Sequence, residues 1–155
     1  MKRVYSKNDF EGYTLMGRIL SDLKLEKKDY LWLICDIEAC PNKKEYQELV
    51  DSNSYLLLST NELVNMLKDD DFQWIWAIFS AIPSHYEKED ILKCDLPNFK
   101  YLDEKNNMCK NEPKIQHPYA ELEIYAFDST YMFMISDNEE LISRFKKCYP
   151  KYIEE

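Results

Sequence analysis

Residues Phe72–Ile82 (FQWIWAIFSAI) form an apolar run rich in aromatic and β-branched side chains, and Pro83 ends it. A run of this length and composition reads as a long buried strand, because such side chains suit a pleated surface covered on both sides. Its surroundings constrain the fold further. Ser54–Leu58 (SYLLL) reads as a strand, and Thr60 is placed to cap a helix whose apolar stripe is Leu63, Val64 and Leu67. The acidic run Asp69–Asp71 ends that helix. The result is a strand–helix–strand unit, which favours a right-handed crossover and suggests a parallel pair. The helix is short for a crossover between adjacent strands, so the pairing stays open.

The remaining elements follow from periodicity. Asn8 with Glu11 makes a capping-box pattern, followed by Phe10, Tyr13, Leu20 and Leu23 near one helical face, with Met16 close by. Gly12 and Gly17 weaken that helix. Tyr30–Ile37 (YLWLICDI) reads as a buried strand, and Lys43–Val50 as a short helix with Tyr46, Leu49 and Val50 on one side. Near the C-terminus, Tyr119–Phe127 alternates strictly. Ala120, Leu122, Ile124 and Ala126 share a core face, while Tyr119, Glu121, Glu123, Tyr125 and Phe127 share a wetter, aromatic-edged face. Asp128–Ser129–Thr130 turns the chain into Tyr131–Ser136, and Asn138 or Asp137 caps a last helix through Cys148, with Leu141, Ile142 and Phe145 apolar. Lys146 and Lys147 suit its C-terminal dipole. Between these blocks, 84–118 carries Pro97, Pro113 and Pro118 and the polar run Lys105–Asn111, and reads as one long irregular excursion. The expected architecture is α/β of the α+β type, one domain over 1–155. It has a mixed sheet of about five strands with helices packed against it, and a C-terminal β-hairpin followed by a helix.

Charge narrows the partners. The chain has 20 basic and 29 acidic residues, and the excess lies beyond residue 50. Such a field repels phosphate backbones, so a nucleic-acid partner is not expected and a basic protein partner is. Lys2, Arg3 and Lys7, and Lys146, Lys147 and Lys151, are read as solvated faces. The five cysteines, Cys35, Cys40, Cys94, Cys109 and Cys148, are odd in number and irregular in spacing, and Met1 runs directly into charged residues. Reduced thiols in a cytoplasm are the expectation. The apolar stretches near Tyr30–Cys35 and Trp74–Pro83 are shorter than a bilayer span, so no membrane partner is expected.

Several chemistries fall away. With only Gly12 and Gly17, neither a P-loop nor a dinucleotide fingerprint can be written. Cys35 and Cys40 lack a second spaced pair, so Cys35 reads as a core residue, and neither metal nor cofactor is expected. No catalytic residue is assigned. His85 and His117 are the two histidines. The best enzyme constellation is His117 with Glu121 and Glu123, as paired carboxylates or cation ligands, or Cys40 beside Pro41 as a reactive thiol. Against it stands the plain reading of two solvent-facing glutamates on a half-exposed sheet. The candidate partner-binding residues are two acidic clusters. One is Asp69, Asp70 and Asp71; the other is Glu87, Glu89 and Asp90 beside Tyr86. Carboxylates steer a basic partner and tyrosine rings anchor it, although a charge run also serves as a solvated face.

Two stretches carry a resemblance: QWIWAIFSAIP at 73–83 and IQHPYAELEIYAFDSTYMFMIS at 115–136, about a fifth of the chain. They resemble segments of small acidic bacterial immunity proteins of polymorphic toxin systems. The resemblance implies a non-enzymatic cytoplasmic antitoxin, which binds and blocks a toxin or effector domain, often a basic nuclease. It brings no catalytic motif and assigns no functional residue. A metal-assisted or thiol enzyme, and a homodimer formed through the aromatic sheet face, remain the alternatives.

Overall fold

The structure is a computed structural model and describes residues 1–7, 14–100, 114–129 and 131–154. The Asn8–Glu11 capping box, Phe10, Gly12, Tyr13, the run 105–111 with Cys109, Pro113 and Thr130 lie outside these residues. The strands are β1 (Lys2–Lys7), β2 (Tyr30–Cys40), β3 (Tyr55–Ser59), β4 (Gln73–Pro83), β5 (Leu122–Phe127), β6 (Tyr131–Ser136) and β7 (Tyr152–Glu154). The helices are α1 (Met16–Asp22), α2 (Lys44–Asp51), α3 (Thr60–Asp69), α4 (Lys88–Leu92) and α5 (Glu139–Cys148).

The strands form a seven-stranded sheet in the order β3-β2-β4-β5-β6-β1-β7. The five strands expected from the sequence occupy one continuous block of it, and β1 and β7 extend one edge. Neither of these two has a long apolar run, because each gains its place by pairing at a sheet margin. Adjacent strands pair antiparallel throughout. The strand–helix–strand unit keeps its sense: β3 and β4 both run antiparallel to β2 and hence parallel to one another, but β2 lies between them. The suggested parallel pair therefore does not form, because β2 lies between the two strands and pairs with both.

One face of the sheet holds the main core. Trp32 and Ile34, Leu56, Trp74, Ala77, Phe79, Leu122, Ile124, Met132 and Met134 meet the apolar faces of α1, α3 and α5. Ser59, rather than Thr60, is the N-cap of α3: its side chain accepts from Glu62 N–H at 3.1 Å, and Glu62 accepts in return from Ser59 N–H at 2.7 Å. That bond from the Ser59 backbone holds the Glu62 carboxyl below its usual range. Thr60, one residue on, turns its hydroxyl inward to accept from the Trp32 indole N–H at 3.0 Å. Ser59→Ala is expected to cost about 1 kcal/mol in urea unfolding, the usual worth of a capping residue. Asn138 caps α5 through Leu141 N–H, as its sequence position predicts.

The opposite face is covered too. The excursion returns along it, with Ile91 and Leu96 against Leu33, Cys35 and Ile82, and Phe99 and Ile115 against Ile78, Tyr125 and Phe133. The wetter face expected for β5 is therefore a second core: Glu123 and Tyr125 are both fully buried. Strand alternation reports which residues share a face, while cover from a distant segment decides whether that face is wet. No helix among the described residues is long and apolar enough to cross a membrane.

Candidate functional site

Asp69 and Asp70 together hold the entry to α2, and Asp71 holds the start of α1. Asp69 pairs with Lys43 and accepts from the Tyr46 hydroxyl at 2.8 Å, a bond that pushes the phenol up to about 12. Asp70 is 7% exposed and accepts three N–H donors ahead of α2: Asn42 N at 2.9 Å, Asn42 Nδ2 at 2.7 Å and Lys43 N at 3.0 Å. Asp71 accepts from Gly17 N at 3.0 Å at the start of α1. The Gly17 Cα lies so close that an added Cβ would sit 2.7 Å from an Asp71 oxygen. Three adjacent carboxylates are tolerable here because each accepts from its own donors, although burial still holds the Asp71 carboxyl above its usual range.

The second cluster is arranged differently. Tyr86 stacks on Tyr119 with centroids 4.4 Å apart and planes within 6°, and His85 packs against Tyr86 at 4.4 Å, tilted by 32°. Glu87, Glu89 and Asp90, which follow Tyr86 along the chain, are exposed, with Asp90 paired to Lys93 at 2.9 Å. The two clusters stand at opposite ends of β4, whose 11 residues span roughly 33 Å. The fold does not bring them together.

His117, Glu121 and Glu123 also separate. Glu121 is exposed and accepts from the Tyr30 hydroxyl at 3.0 Å; burial, together with that bond, pushes the phenol up to about 12. Glu123 points beneath the excursion and accepts four bonds: Ser80 Oγ at 2.9 Å, Gln116 N at 2.9 Å, His117 N at 3.0 Å and the Tyr125 hydroxyl at 2.6 Å. Burial, then the Glu123 charge, holds the Tyr125 phenol well above its usual value. The His117 ring turns away from Glu123. Its Nδ1 accepts from Tyr119 N at 3.2 Å and its Nε2 lies 3.1 Å from the Ile91 carbonyl, which places the ring proton on Nε2. Both Glu123 oxygens and both His117 ring nitrogens are thus committed to holding 115–121 on the sheet. No group of three metal-ligating side chains is present among the described residues. Cys40 is exposed at the end of β2; Cys35 is buried, and that burial, with Asp36 and Glu123 nearby, pushes its thiol up to about 12. Of the N-terminal basic trio, Arg3 is buried with its guanidinium 5.9 Å from the Phe133 ring, and Lys2 pairs with Glu139.

The sequence reading missed a groove where β2 and β4 lose register. Between Cys35 and Glu38, β2 carries one extra residue opposite Ile78–Trp76. Between Glu38 and Ala39 the surplus passes to β4, where Ile75 is the extra residue. Asp36 sits at the first irregularity with φ 50°, a conformation that aspartate tolerates better than most residues. The carbonyl of Ile75 is satisfied by Ser129 N–H at 3.1 Å, from the β5–β6 turn. The extra residue Ile75 sends Trp74 into the main core and Trp76 to the opposite face, although the two have the same strand parity. Trp76 meets Phe99 at 5.1 Å and Phe127 at 4.4 Å, both edge-on, and stays half-buried. Asp36 accepts from Phe99 N–H at 2.7 Å. Around Trp76 and Phe99 opens a shallow concavity of about 570 Å³, walled by Asp36 and Glu38 on one side and Asn53 and Ser54 on another. Only the paired irregularity creates it, and two faults that cancel in register leave no mark on an apolar pattern.

The chain matches no protein-family model, no curated protein and no solved structure. The fold and surfaces define an antiparallel α+β sheet protein with an acidic exterior.

Proposed function

We propose that this protein is a non-enzymatic binding protein of the immunity type, which masks a basic toxin or effector domain in the cytoplasm. The observation that carries the reading is the half-buried stack of Tyr86 on Tyr119, followed along the chain by the exposed carboxylates Glu87, Glu89 and Asp90, within a chain of formal net charge −9. Rings already stacked lose little freedom on contact, and the carboxylates that follow accelerate encounter with a cationic surface. Asp69–Asp71 contribute to the overall field, but their oxygens are engaged within the fold, so the direct contact falls on the second cluster.

The test is affinity capture from native lysate at low and moderate salt, with retained proteins identified by mass. A single basic protein, held at low salt and weakened by added salt, is the expected result. Glu87→Gln, Glu89→Gln and Asp90→Asn together are expected to slow its association roughly tenfold at low salt, with a smaller effect on dissociation. An on-rate and salt dependence unchanged by the triple variant would show that this surface is not the contact.

A further inference from the structure

We infer that the groove over Trp76 is a docking site for an arginine side chain presented by an extended segment of a basic protein. The inference stands on that groove alone and does not need the Tyr86 surface, which lies beyond Pro83 at the far end of β4. Glu38 is the direct cross-strand partner of Trp76. In such a pair the two side chains project from the same face with Cβ atoms roughly 5 Å apart. A carboxylate therefore stands beside the half-exposed indole, and no hydrogen bond or ion pair within the described residues engages it. Asp36 contributes a second carboxylate from the bulge, one oxygen of which is held by Phe99 N–H.

This combination selects its occupant. An apolar side chain would cover the rings but strip water from two carboxylates with nothing to replace it. An anion is repelled by both. A lysine ammonium would satisfy one carboxylate as a point charge. A guanidinium does more: its plane lies on the indole face while its fork of N–H donors reaches carboxylates at two positions along β2. The remaining wall, Asn53 and Ser54, leads directly into β3, an edge strand of the sheet. An extended segment has unpaired backbone to follow there.

The three tryptophans make the site readable. Trp32 and Trp74 are fully buried in the main core, and Trp76 alone is half-exposed. The experiment titrates the full chain at low salt with a short peptide of alternating arginines, and with its lysine and citrulline counterparts, following the three indole N–H resonances. The expected result is a shift confined to Trp76, with lysine roughly fivefold weaker and uncharged citrulline without effect. Glu38→Gln, a surface change that leaves the fold intact, is expected to weaken the arginine peptide roughly fivefold. Glu38→Lys is expected to abolish its binding. Equal binding of the citrulline peptide, a Trp76 resonance that does not move, or indifference to both Glu38 variants would overturn the site. Repeating the lysate capture with Glu38→Lys separates this inference from the proposed function. A basic protein retained equally by wild type and variant would overturn the groove and leave the inhibitor reading standing. Trp76-specific arginine binding with nothing retained would keep the groove and remove that reading.

Discussion

Glu123→Ala is expected to lower the free energy of unfolding by about 4 kcal/mol, the largest single effect at a polar position in this chain. The carboxylate is fully buried and gathers Ser80, Gln116, His117 and Tyr125 onto its two oxygens. Removing it leaves two backbone N–H groups and two hydroxyls facing a dry space, and each buried group without a partner costs about 1–3 kcal/mol. Part of this is recovered if a water enters the space left behind. Glu123→Gln preserves the shape but aims an amide N–H₂ at donors, so an intermediate loss of about 2 kcal/mol is expected. The check is urea unfolding at constant m-value, read beside amide exchange at Gln116 and His117. Loss of protection at those two amides in advance of the rest would show that Glu123 pins the excursion. Unchanged midpoints in both variants would show that the network adds nothing.

Asp70→Ala is expected to cost about 2–3 kcal/mol, from three N–H bonds to one nearly buried carboxylate. The neighbouring Asp69→Ala serves as a contrast and is expected to leave the midpoint nearly unchanged, because its pair with Lys43 is exposed. The pH dependence gives a second signature. Burial works to raise the Asp70 pKa, but the donors from Asn42 and Lys43 outweigh it, and the net value lies below the ordinary one. A group depressed in the folded state contributes stability that is fully present above its unfolded pKa. That contribution is lost as pH falls through the folded value. Asp70→Ala should therefore flatten the acid limb of the stability profile below about pH 4 while lowering the neutral plateau. An acid limb as steep as that of wild type would remove Asp70 from the groups responsible.

Much of the architecture was legible because it rests on local signals. Tyr131–Ser136 is a strand over its expected residues, and Asn138 caps the last helix where a side-chain acceptor ahead of an apolar stripe belongs. Tyr119–Phe127 begins three residues later than its alternation suggests. His117–Ala120 closes a turn, Ala120 N–H donating to the His117 carbonyl at 3.1 Å, and this turn aims the two backbone donors at Glu123. The cap of α3 shifted by one residue because Ser59 and Thr60 are both competent, and only the proximity of Trp32 decided which hydroxyl faced inward.

The candidate site was far less legible, for a definite reason. A run of carboxylates has the same appearance in sequence whether it meets water or N–H donors. Asp69–Asp71 meet donors brought from Asn42, Lys43 and Gly17, between 26 and 54 residues away. Glu121 and Glu123 are alike in sequence, yet one is exposed and the other has four internal donors. By itself the sequence determined five of the seven strands, most of the helices, the cap of α5 and the acidic balance, because periodicity and local side-chain chemistry specify these within a few residues. Only the tertiary structure decided that β2 lies between β3 and β4, that the excursion seals the second face of the sheet, and that Trp74 and Trp76 part to opposite faces. Each of these depends on which distant segment pays the desolvation of a surface, and that is settled by packing in three dimensions rather than by neighbours along the chain.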